Sequence, residues 1–189
     1  MSTGPFYPKH IAVGPQSNTV AIAGAVRNPV LWNLPGKAPT FGDPPLPDTR
    51  AVLFLDVTSG ELRRTVTSVE SVSTWGAVAW RSTTSQLAIS GVGGFGFIES
   101  NSGAVTVVNP ATGLEANNSL VYSTSGEILA EGSFGKTQNW LRLWTGDHLK
   151  LLFEQRREVR ALSISHDGKM LAVASENDVE IHDIRMSGF

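Results

Sequence analysis

Three glycines stand at the spacing G-x-G-x-x-G in GVGGFGF: Gly91, Gly93 and Gly96. In a dinucleotide-binding turn such glycines let the backbone approach a pyrophosphate, which rests on the N-terminus of the helix that follows. Here FIESNSGAVTVV follows, which offers no helix of useful length and then another β-type run. The glycines are therefore expected to turn a loop tightly between two strands, and no cofactor is expected. FGKT, Phe134 to Thr137, ends like a phosphate loop but lacks the first glycine at the required distance. Asn117-Asn118-Ser119 is a formal glycosylation acceptor in a chain with no secretion signal in its first residues. His10, His148, His166 and His182 share no H-x-x-x-H spacing and adjoin no paired carboxylates, so no metal site is expected. No G-x-S-x-G elbow and no acid–base pair marks a catalytic centre.

Arg156, Arg157 and Arg160, broken by Glu158, form the one basic cluster. It reads as a solvated link between strands, or as a contact for an anion or acidic peptide. The whole chain of 189 residues carries a net charge of −2, which speaks against a nucleic-acid surface. Apolar residues make up 41% and charged residues 17%, the balance of a folded chain. The absence of cysteine excludes disulfides, thiolate metal sites and a cysteine nucleophile, and fits a reducing, cytoplasmic setting. No apolar run approaches 18 residues, so no membrane span is expected.

The elements that position these residues come from a repeat. LSISHDGKMLAVAS, Leu162 to Ser175, alternates apolar and small residues on both sides of an Asp-Gly turn, the pattern of a β-hairpin. The same template recurs without gaps at LVYSTSGEILAEGS, VAWRSTTSQLAISG and IAVGPQSNTVAIAG. The copies begin near 11, 78, 120 and 162, so the period is 42 with one insertion in the first copy. One position is alanine in all four, Ala21, Ala88, Ala130 and Ala172, each preceded by an aliphatic residue, Val20, Leu87, Leu129 and Leu171. A small side chain recurring there implies sheets that approach closely, where added bulk would overpack. Further strand-like runs follow: AVLFLDV, AVTVVN, WLRLWT and DVEIHDI as third strands, with ELRRTVTSV and HLKLLFEQ as fourth strands. The fold expected for 1–189 is all-β: a single β-propeller domain of about four blades, each a four-stranded antiparallel sheet, with an incomplete ring. A self-closed ring of four blades is the alternative, with GPFYPKH supplying the outer strand that the last copy lacks.

The segment Asn139 to Arg185 resembles the WD-repeat β-propeller family. SHDGK is similar to the family's S-P-D-G-K turn, and SENDVEIHDI to its S-x-D-x-x-I-x-W-D segment. The resemblance implies that Asp178 is the family's buried-turn aspartate. It also sets His182-Asp183 and Trp144-Thr145 at the Trp-Asp position, while the family's Gly-His pair is absent from every copy.

The insertion, Val26 to Arg50, carries six prolines and is expected to join the second and third strands of the first blade, unless VLWNL is itself the third strand. Such connections emerge on one propeller face together with the links between blades. Trp32, Phe41, Trp75, Phe95, Phe97, Arg156 and Arg157 are therefore the expected partner-binding residues: stiff proline segments lose little entropy on docking, and exposed aromatics are common anchors. Tucking of Trp32 and Phe41 onto their own blade is the competing expectation. The function expected is a non-catalytic interaction or scaffold module with a protein partner, together with self-association through an open blade edge. The alternative is part of a propeller enzyme or sensor with its site in the central channel.

Overall fold

The computed structural model describes residues 6–15, 18–26, 49–67, 74–92, 94–110, 117–134, 139–145 and 150–185. Their alternating patterns form four antiparallel sheets. The first contains β1 (Phe6–Val13), β2 (Thr19–Val26), β3 (Thr49–Asp56) and β4 (Leu62–Thr67). The second contains β5 (Thr74–Trp80), β6 (Gln86–Val92), β7 (Gly94–Glu99) and β8 (Val105–Pro110). The third contains β9 (Asn117–Tyr122), β10 (Ile128–Ser133), β11 (Trp140–Thr145) and β12 (Lys150–Arg156). The fourth contains β13 (Ala161–Ile164), β14 (Met170–Ala174) and β15 (Val179–Asp183). Strands pair with their sequence neighbours in every sheet, and no helix occurs among the described residues. The sheets stack in chain order through β1 on β5, β5 on β9 and β9 on β13. This is an all-β partial β-propeller.

Three apolar clusters fill the three joints. Ala21, Val52 and Phe54 meet Val78, Leu87 and Ile89 between the first and second sheets. Ala88, Phe95 and Phe97 meet Leu120, Leu129 and Trp144 between the second and third. Ala130, Leu141 and Leu143 meet Leu171 and Val173 between the third and fourth. Successive strand residues point to opposite faces, so in the first three sheets the template alanine, beside larger side chains such as Phe54, Phe97 and Leu143, faces the next sheet, while Leu87, Leu129 and Leu171 face the one before. Ala21, Ala88 and Ala130 are fully buried, whereas Ala172, on a face that no sheet among the described residues covers, is half-buried. In mirror image, Leu87, Leu129 and Leu171 are fully buried and Val20 is half-buried.

Polar links lock the joints at their rims. Trp80 Nε1 donates to the Ala12 carbonyl at 3.0 Å, and the Arg64 guanidinium donates to the carbonyls of Ser102 and Asn101 at 2.9 and 2.8 Å. Arg81 Nε donates to the Gly126 carbonyl at 2.9 Å. The hairpin turns repeat too. Gly126 and Gly168 donate through their amides to the Ser123 and Ser165 carbonyls, and the two serine hydroxyls accept from the amides of Ile128 and Met170.

Several expectations need correction. AVTVVN is not a third strand: it forms β8, the outer strand of its sheet. The third strand, β7, lies inside the glycine-rich run, where Phe95 opposes Ser90 and Phe97 opposes Ala88. Gly96 allows the backbone of β7 to press against β8, since a Cβ there would stand 2.5 Å from the Thr106 carbonyl oxygen. The N-terminal residues Phe6–His10 belong to the inner strand β1, paired along β2, so they are not an outer strand for the fourth sheet. Asp178 is exposed rather than buried, and accepts a hydrogen bond from Ser175 Oγ in the turn before β15. The proline-rich insertion does fall between second and third strands, because β2 pairs directly with β3. Among the described residues, no strand of the first sheet packs broadly on the fourth, so no four-blade ring closes.

Candidate functional site

The expected aromatic anchors do not gather on one exposed face. Phe95 is 1% exposed and packs against Trp144 at a ring-centroid distance of 5.2 Å, while Phe97 meets Phe95 edge-on. Both point into the joint between the second and third sheets because β7 presents them on the side shared with Ala88. Trp75 lies on β5, opposite Gly91, rather than in a link between blades. Trp32 and Phe41 lie outside the described residues. Trp144 is buried, and its Nε1 donates to the Glu131 carboxylate at 3.1 Å. Burial pushes the nearby Tyr122 hydroxyl up to about 12.

The arginine cluster is largely neutralised from within. Arg157 leaves the end of β12 and forms a bidentate pair with Glu180 on β15, at 2.8 and 2.9 Å. His182 Nε2 lies 3.2 Å from the same carboxylate. The hydrogen bonds from Arg157 hold the Glu180 carboxyl below the usual glutamate range. Arg160 pairs with Glu158 at 2.7 Å and lies 4.5 Å above the Phe134 ring centre. Arg156 is exposed at the end of β12. The grouping thus ties the fourth sheet to the third more than it offers positive charge to a ligand.

A polar cleft at the joint of the first two sheets is lined by Asn18, Arg63, Ser82, Thr84 and Asn101. Its one charged group, Arg63, is paired with Asp56. Among the described residues, no three His, Cys, Asp or Glu side chains converge where they could hold a metal ion.

The surfaces of most chemical consequence are the two outermost sheet faces. On the first sheet, Ile11 pairs with Ile22 and Ile22 with Leu53, while Val13 pairs with Val20 and Val20 with Leu55. All six therefore share the face turned away from the second sheet, and Ile11 and Val13 are 67% and 57% exposed. On the fourth sheet, Ile181 and Val179 lie opposite Ala172 and Ala174, and are 60% and 66% exposed. Contiguous apolar faces of this kind mark interaction sites on soluble proteins. The alanine template pointed to closely stacked sheets. It did not single out these faces.

Neither a protein-family model nor a curated protein sequence matches the chain. Solved structures do resemble it in fold. A chain of a nidogen/laminin complex superposes with a TM-score of 0.67 at 8% identity, over 95% of this chain and 62% of its own length. A chain of a mitotic checkpoint complex gives 0.66 at 18% identity, over 93% and 50%. A chain of Kuenenia stuttgartiensis hydrazine synthase gives 0.66 at 14% identity, over 95% and 47%. The chain therefore spans about half to three-fifths of the length of these similar chains. No helix among its described residues is long and apolar enough to cross a membrane.

Proposed function

We propose that the chain is a non-catalytic interaction module whose exposed apolar sheet faces engage protein surfaces. The observation that carries this reading is the partly exposed apolar face of the first sheet, built from Ile11, Val13, Val20, Ile22, Leu53 and Leu55. Burying such a face is favourable at about 25 cal/mol per Å². Two of the similar folds come from structures of protein complexes, and one from an enzyme, so fold alone does not separate the two roles. The pairing of Arg157 and Arg160 with glutamates favours the non-catalytic role. A WD-like ancestry for the repeat belongs to the same proposal, supported by the serine–glycine turns and by Trp144. So does a cytoplasmic setting, supported by the lack of cysteine.

The test places a photo-crosslinking side chain at position 11 or 181 in cells, with the exposed turn position 127 as control. Protein adducts from 11 and 181 in excess of 127 are expected. Adducts no more abundant than at 127 would overturn the reading.

A further inference from the structure

We propose that the polar cleft between the first two sheets is a binding site for a small neutral saccharide. The site lies apart from the apolar faces above and does not depend on them.

The cleft is a local departure from the repeat. The fourth template position, where each hairpin turn begins, is Gly14, Arg81, Ser123 and Ser165 in the four copies. At the second joint this residue closes the gap between neighbouring turns. Arg81 Nε donates to the Gly126 carbonyl at 2.9 Å, and the adjoining Ser82 hydroxyl donates to the Thr124 carbonyl at 2.5 Å. At the third joint, Ser123 Cβ lies 3.8 Å from where a Cβ on Gly168 would stand. At the first joint the position is Gly14, which has no side chain to extend toward the second sheet. The space left is about 460 Å³, within the roughly 300–1,000 Å³ of small-molecule sites.

Both walls are held in place. On the second sheet, Arg64 donates to the Asn101 carbonyl at 2.8 Å, and the Ser100 amide donates to the Ser85 carbonyl at 3.0 Å. On the first sheet, the Asn18 carbonyl accepts from the Val57 amide at 3.0 Å, and Arg63 Nη1 donates to Thr19 Oγ1 at 3.2 Å. The half-buried Trp80 ring lines the cleft, and its N–H is fixed on the Ala12 carbonyl.

The chemistry of the lining selects the ligand. Asn18, Thr83, Ser100 and Asn101 supply amides and hydroxyls, which both donate and accept. A sugar ring offers hydroxyls that need both roles along its edge, and C–H bonds on its face that suit a fixed indole. Arg63 is the charged residue of the lining, and Asp56 neutralises it, so no excess charge is left to hold an anion. An apolar ligand would take water from the amides and hydroxyls without replacing it.

The test is an NMR titration of the isotope-labelled full chain with glucose, galactose, mannose, N-acetylglucosamine, lactose, maltose and cellobiose, with inorganic phosphate as the anionic comparison. At least one sugar is expected to give saturating shifts at the amides of Thr83, Ser100 and Asn101 and at the Trp80 indole N–H. Phosphate is expected to leave them in place. Asn18→Ala and Asn101→Ala, exposed positions on opposite walls, are each expected to weaken that sugar about three- to tenfold. Glu127→Ala, in the turn of the third sheet, is expected to leave its affinity unchanged. Saturation by none of the sugars would overturn the proposal. Shifts with phosphate alone would overturn the ligand class, and sugar affinity untouched by both asparagine variants would overturn the site.

Discussion

A methyl group on Gly96 would crowd the backbone rather than a movable side chain, because its nearest neighbour is the Thr106 carbonyl oxygen. The β7–β8 register slips between Phe95 and Gly96, so the two strands are already irregular at that point. Gly96→Ala is therefore expected to cost about 1–3 kcal/mol, the range for overpacking, read as a lower urea midpoint. An unchanged midpoint would show that β8 yields without strain. This residue also shows where the sequence was hard to read. Glycine contributes nothing to an apolar–polar alternation, so the strand carrying Phe95 and Phe97 looked like a loop, and two core aromatics looked like surface anchors. Once Gly96 is counted as a strand residue, Phe95, Phe97 and Glu99 against Gly94, Gly96 and Ile98 read with period two.

The fourth sheet is the element with the least support. Among the described residues it has three strands and packs broadly on the third sheet alone. Arg157 bridges that joint by reaching Glu180 on β15, and this pair makes the attachment sensitive to acid. The Glu180 carboxyl is held low first by hydrogen bonds from Arg157, then by the charges of Arg157 and His182. A carboxyl depressed in the folded state adds stability above the unfolded value, about 4.3 for glutamate, and that stability is lost as pH falls through the folded value. Wild type is thus expected to melt at a higher temperature than Glu180→Gln at neutral pH, with the two converging in acid. A gap that stays constant down to the acid limit would contradict this role. Most elements were legible from the template: the hairpins, the third strands in the first, third and fourth copies, and the insertion between β2 and β3. The role of the arginines was not. The glutamate partner of Arg157 lies 23 residues onward in Glu180, and only the stacking of sheets brings the two together.

At the scale of the whole molecule, the fold is a one-dimensional stack in which each sheet is stabilised by its neighbours. Cohesion comes from one contact repeated: the buried template alanine of one sheet in a shared apolar cluster with a larger aliphatic residue of the next. Ala21, Ala88 and Ala130 are fully buried, and Ala172 is half-buried. Alanine-to-leucine substitution at the four template positions, with the urea midpoint measured for each, tests this most directly. Ala21→Leu, Ala88→Leu and Ala130→Leu are each expected to lose about 1–3 kcal/mol, while Ala172→Leu leaves the midpoint unchanged. Equal losses at all four positions, or none at the first three, would contradict the account.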